Sequence, residues 1–192
     1  MPRPGRKRSE ESRQAILTAA LELVAEIGYG GLTIEAIAAR AGAGKQTIYR
    51  WWPSKADVLL DALIAKANVF VPVPDEGGYA ADLRTFLRAT FTLGSDPRVA
   101  DLLRALMTHS QLDPAFGERF RERFLQARRD ALGVILDRAA ARGDLPAAPA
   151  LETVADIVFG IVWYRILATQ RLLDQALAEE LLALLTGSPS SP

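Results

Sequence analysis

The 192-residue chain predicts an all-α protein with two helical parts. Three observations carry that prediction. Apolar residues recur at spacings of three and four. No stretch alternates apolar and polar β-branched residues, and no Asn-Gly or Asp-Gly hairpin signal occurs. The breaks between periodic segments fall at Gly and Pro clusters.

The spacing of Ile16, Leu17, Ala20, Leu21, Val24 and Ile27 predicts a first helix over about 10–28, with Ser9 or Ser12 as its cap. Gly28 and Gly30 stop it. Thr33 caps a second helix whose inner face is Ile34, Ile37, Ala38 and Ala41. Gly42-Ala43-Gly44 makes a tight turn into a third helix, about Lys45 to Trp51, which Pro53 ends. Ser54 starts a fourth helix that runs to about Asn68. Residues 69–78 (VFVPVPDEGG) hold two prolines and two glycines and break the helical pattern. Five further helices are predicted at roughly 79–94, 98–109, 114–142, 149–169 and 174–186. Asp96-Pro97 and Asp113-Pro114 each place a capping side chain before a proline suited to the first helical turn. Gly143 closes the longest helix. The domains read as a basic flexible arm (1–9), a helix-turn-helix domain (10–68), a helical effector-binding and dimerisation domain (69–186) and a disordered tail (187–192).

Composition removes several function classes. Cysteine is absent and His109 is the single histidine, so Cys/His zinc sites, histidine-based catalytic triads and paired-histidine iron sites are excluded or nearly so. No cofactor or metal is expected. No Glu-x-x-His pair, acidic cluster or phosphate-cradling glycine loop suggests an enzyme. Glu118 and Glu122, flanked by Arg119, Arg121 and Arg123, read as surface ion pairs. The most apolar window, Val154 to Ala168, contains Asp156 and Arg165 and falls short of the ~20 residues that span a bilayer. The basic N-terminus leads into an amphipathic helix rather than an apolar signal segment, so a cytoplasmic protein is expected. Net charge is zero but unevenly spread: residues 1–55 carry nine Lys/Arg against five Glu. A locally basic module is what a nucleic-acid partner requires.

Residues 32–60 carry the chemistry. A helix, a glycine turn and a short second helix match the spacing of a DNA-reading helix-turn-helix. Ala38, Ala41 and Gly42 permit close crossing, and Ile37 and Ile48 anchor the pair to the first helix. The start of the third helix then faces outward. Lys45 can donate to guanine, Gln46 can pair with adenine, and the Thr47 methyl can meet thymine. Tyr49, Arg50, Lys55 and Thr33 are placed for phosphates. Trp52 is expected in the core. Arg3, Arg6, Lys7 and Arg8 form either a solvated tail or an arm on DNA. The rival reading is a helical protein-interaction module.

These residues resemble the N-terminal domain of the TetR family of bacterial transcription regulators. The likeness lies in Gly28-Tyr29, Leu32-Thr33-Ile34, Ile37-Ala38, Ala41-Gly42, Thr47-Ile48-Tyr49 and Ser54-Lys55. PSKADVLLDAL and VFGIVWYRIL look like a subgroup of the family's C-terminal domains. The resemblance implies that Thr33, Lys45, Gln46, Thr47, Tyr49 and Lys55 touch double-stranded DNA. It also implies a homodimer on a palindromic operator, released by a small apolar or amphipathic effector, with a ligand-free regulator as the variant. For the dimer, helix 149–169 is apolar nearly all round, which suits burial on two sides. Val158, Gly160 and Ile161, with Leu177, Leu181 and Leu184 of the last helix, are the expected interface. Phe86, Phe91, Leu102, Leu106, Met107, Phe116, Phe120, Phe124 and Trp163 are expected to line an effector cavity, with His109 and Arg165 orienting the ligand.

Overall fold

The computed structural model describes residues 4–146 and 149–187, with side chains from Ser9 onward. The described residues form helices and no strand. Ten α-helices follow in order: α1 Pro4–Gly31, α2 Ile34–Ala41, α3 Lys45–Trp51, α4 Lys55–Phe70, α5 Tyr79–Ser95, α6 Pro97–Leu112, α7 Pro114–Phe120, α8 Ala127–Arg142, α9 Leu151–Trp163 and α10 Gln175–Thr186. A π-helical segment, Arg121–Gln126, joins α7 to α8, and another, Tyr164–Thr169, continues α9. The sequence reads each of those stretches as one unbroken helix. Apolar periodicity does not distinguish a single π turn from α-helix, because only one residue is gained.

The chain divides into two compact units. The first comprises Met1–Lys66 and Ala105–Phe120, the second Ala67–Arg104 and Arg121–Pro192. The first unit thus includes part of α6 and all of α7, which sequence order assigns with everything after residue 68. Asp57 on α4 and Arg119 on α7 explain this: they form a buried-to-surface ion pair at 2.7 Å.

In the first unit, α1 begins at Pro4, not near residue 10, with the proline in the first turn where its missing N–H costs nothing. The side chains of Arg3, Arg6, Lys7 and Arg8 lie outside the described residues. Ile16, Leu17, Ala20 and Leu23 form the buried stripe of α1, while Ile27 is half exposed. Gly28, at φ 71° and ψ 168°, bends the chain where the stripe ends. Ile37 and Ile48 are fully buried, as the anchor role requires, and Ala38 is nearly so. Gly42 closes α2 in the left-handed region (φ 63°). Its N–H and that of Ala43 donate to Ala39 O and Ala38 O, the paired bonds that satisfy orphan carbonyls at a helix end. No atom lies within 4 Å of where a Gly42 Cβ would stand, so Gly42→Ala meets backbone strain alone. The expected loss is about 1 kcal/mol, read as a lowered urea midpoint of the full chain.

In the second unit, Phe86, Leu87 and Phe91 of α5 and Leu132, Ile135 and Leu136 of α8 are buried. Asp82 is completely buried, and its carboxylate accepts from Glu76 N and from Arg142 Nη2. Tyr79, buried beside it in sequence, has its hydroxyl pushed up to about 12 by desolvation. A Cβ on Gly94 would stand 2.5 Å from Leu173 Cδ1, the end of a flexible side chain, so a larger residue there requires Leu173 to shift. Asp96, Asp113 and Asp174 each accept a backbone N–H at the start of a helix. The first two are the caps expected before Pro97 and Pro114. The tail residues 188–192 lie outside the described residues.

Candidate nucleic-acid interface

The reading surface is built at the turn between α2 and α3. Gly44 precedes α3 with extended backbone and accepts from the N–H groups of Thr47 and Ile48. Having no side chain, Gly44 leaves the helix start uncovered. Lys45, Gln46, Tyr49 and Arg50 are exposed and Thr47 is half-buried, with Ile48 alone facing inward. This is the outward face that the sequence reading expects.

Two devices hold α3 at its far end. Trp52 adopts the extended conformation (φ −135°, ψ 124°) that a residue before proline prefers, so α3 stops there. Its ring is buried, and Nε1–H donates to Asp61 Oδ2 at 2.9 Å. Arg13 of α1 donates to the same oxygen at 2.8 Å. Arg50 lies 5.4 Å over the Trp51 ring, a cation–π contact that leaves its guanidinium at the surface.

Thr33 caps α2, its hydroxyl accepting from Ala36 N at 3.1 Å, and stays exposed at that helix end. Lys45 is not solitary: Nζ donates to Glu35 Oε1 at 2.7 Å. The pairing holds the Glu35 carboxyl below the usual carboxylate range and the Lys45 ammonium above its ordinary value. Arg40 of α2 forms a two-pronged pair with Glu26 of α1 at 2.9 and 2.8 Å. Sequence reasoning missed both pairs, because their partners are ten and fourteen residues apart and meet only when α2 packs.

Lys55 differs most from expectation. It was expected at a phosphate, yet its Nζ donates to Tyr29 O at 2.8 Å and Leu32 O at 2.7 Å and stands 4.6 Å over the Tyr29 ring. Those carbonyls lie where α1 has bent away at Gly28, and chain ends of this kind leave acceptors without intrahelical donors. The ammonium satisfies them with two of its three donors.

His109 was expected to orient an effector. Its ring packs on Phe116 (centroids 4.9 Å apart) and Tyr29 (5.9 Å) in the first unit. Arg119, expected in surface pairs with Glu118 and Glu122, reaches Asp57 of α4 with Nε at 2.7 Å and Nη2 at 3.2 Å. The remaining effector candidates are divided between the units. Leu106, Met107, Phe116 and Phe120 belong to the first; Phe86, Phe91, Leu102, Phe124, Trp163 and Arg165 belong to the second.

The expected dimer residues also divide. Val158 and Leu181 are buried in their own unit (0% and 3% exposed), so they are core residues and not interface. Of the others, Gly160 and Leu184 are exposed and Ile161 and Leu177 half-buried; Gly160 points away from Val158, while Ile161, Leu177 and Leu184 flank the buried residues at helical spacings of three and four. Among the described residues no helix is long and apolar enough to cross a membrane.

Comparison with known proteins places this arrangement. Residues 16–62 match the profile of the tetR family of bacterial regulatory proteins, and residues 73–185 match the tetracyclin repressor-like C-terminal domain. The chain is 35% identical over 167 residues to the uncharacterized HTH-type transcriptional regulator YdeS of Bacillus subtilis, covering 86% of this chain and 83% of that protein. It is 29% identical over 163 residues to the DNA-binding transcriptional repressor TetR of Mycobacteroides abscessus, covering 83% and 84%. The crystal structure of the TetR family transcription regulator SCO0332 superimposes with a TM-score of 0.80 at 28% identity, covering 95% of this chain and all of that one. With the helix-turn-helix exposed as described and both domain profiles matched, the chain belongs to the TetR family of DNA-binding transcriptional regulators, a family of regulators and not of enzymes.

Proposed function

We propose that the protein is a cytoplasmic repressor that binds a palindromic operator as a homodimer and leaves it when a small, mostly apolar effector binds. The observation that carries the DNA reading is the polar, exposed start of α3 on a buried Ile48 anchor. Lys45, Gln46 and Thr47 meet base edges; Thr33, Tyr49 and Arg50 meet phosphates. Lys55 acts mainly by holding the end of α1, which sets where Thr33 stands.

One helix-turn-helix covers a single half-site, so two copies related by a two-fold axis would double the contact and set the half-site spacing. The surface that suits this is Gly160, Ile161, Leu177 and Leu184, widened by exposed Tyr164, Leu167 and Leu172 (62%, 40% and 68% exposed). An effector is best accommodated in the second unit, by Phe86, Phe124, Trp163 and Arg165. Phe124 and Arg165 lie in the two π-helical segments, and such segments concentrate at functional sites. Thr90 Oγ1 and Thr169 Oγ1 of the same unit are buried without a hydrogen-bond partner among the described residues.

The test is selection of DNA from random fragments at near-physiological salt, followed by sequencing. A two-fold symmetric motif is the expected result. Recovery of an unrepeated half-site, or of no motif from folded protein, overturns the proposal. Given the operator, Gln46→Ala is expected to relax preference at one base position per half-site. Arg50→Ala is expected to weaken binding to every sequence and to lower the salt slope by about 1.

A further inference from the structure

The first residue of the reading helix is held by an acid. Lys45 opens α3, and Glu35, in the first turn of α2, takes its ammonium at 2.7 Å. The two side chains are 54% and 57% exposed, so the contact sits on the surface that DNA approaches and no burial locks it. We propose that Glu35 is a specificity-determining residue: it occupies Lys45 until a base edge of the right kind arrives, and so suppresses binding to DNA of the wrong sequence. The inference rests on the proposed role of Lys45 at base edges.

The argument is one of donors and acceptors. An ammonium has three donors. A phosphate offers Lys45 what Glu35 already offers, an anionic oxygen. Whether Lys45 leaves Glu35 or keeps one donor on it, the Glu35 carboxylate then faces the negatively charged backbone, so a phosphate contact gains little, whereas the acceptors of a neutral base meet no such repulsion. Guanine presents two acceptors, O6 and N7, in the major groove. Lys45 can give those two donors and keep the third on Glu35. The pair therefore penalises a phosphate contact and tolerates a guanine contact. Arg50 carries no such penalty toward phosphate, since the contact described for its guanidinium is with the Trp51 ring.

A double-mutant cycle on the full-length protein tests this, using E35Q, K45A and the double variant. The probes are a duplex of random sequence and the operator recovered by selection, each over a range of salt concentrations. E35Q is expected to tighten binding to the random duplex about 3- to 5-fold, the size of an exposed ion pair. The slope of log K against log salt should steepen by about 1, as one more cation becomes available to phosphates. Operator affinity should change by less than about 2-fold, so discrimination falls. In the K45A background the effect of E35Q should largely disappear. Equal tightening with and without Lys45 would reduce Glu35 to general charge repulsion and overturn the inference alone. If K45A itself leaves binding to both duplexes unchanged, the base-reading role of Lys45 fails, and this inference fails with it. Both residues are exposed, and near-ultraviolet circular dichroism checks that each variant keeps its fold.

Discussion

Arg119→Met is expected to destabilise the first unit by about 3 kcal/mol. Asp57 is 2% exposed and accepts from Arg119 Nε, Arg119 Nη2 and the Ser54 hydroxyl, the last at 2.6 Å. Removing the guanidinium strands a carboxylate that, among the described residues, the serine hydroxyl still serves, and a buried anion without its cation is strongly unfavourable. The cation's side chain is 34% exposed, which places the loss toward the lower end of the range for buried pairs. Hydrogen exchange resolves the effect, because α4 and α7 should lose protection together while α8 keeps its own. Replacing both partners, Asp57→Leu with Arg119→Met, should recover a large part of the loss, since no buried charge remains. Unchanged exchange in α4 after Arg119→Met would show that the pair contributes nothing to the unit.

Trp52→Ala is expected to cost about 3–5 kcal/mol and to abolish operator binding. The indole is 2% exposed, and its removal opens a cavity beneath the reading helix. The same change takes the Nε1–H from Asp61, a carboxylate 8% exposed. Trp52→Phe separates the two effects. It keeps most of the apolar volume and loses the hydrogen bond, with Arg13 still donating to Asp61 Oδ2. A loss of about 1–2 kcal/mol is expected there. Urea denaturation measures both, and a Trp52→Phe variant as unstable as Trp52→Ala would move the weight from packing to the hydrogen bond.

The contrast between Lys45 and Lys55 shows what kind of information the sequence holds. Both are lysines that open a helix in a basic segment, and both read as DNA contacts. In the folded unit one sits on the exposed turn beside Glu35, and the other is drawn onto the carbonyls of Tyr29 and Leu32. Nothing local distinguishes them. The difference arises because α1 bends at Gly28 and leaves its terminal acceptors within reach of α4. His109 and Arg119 teach the same lesson: their partners Tyr29 and Asp57 are far away in sequence and belong to helices they reach only after folding.

The sequence by itself determined the class of fold, the position of most helices to within a few residues (the first begins at Pro4, well ahead of its apolar stripe), the turn at Gly42, the stop at Pro53 and the family. These depend on local chemistry: the conformations that glycine and proline allow, caps one to three residues away, and apolar spacing matched to the helix repeat. Tertiary structure decided which charges are paired and which apolar residues are core. Val158 and Leu184 are equally apolar in the sequence, yet one is fully buried and the other 67% exposed. Burial and ion pairing are settled by which helix faces meet, and that is a property of the packed chain and not of any window along it.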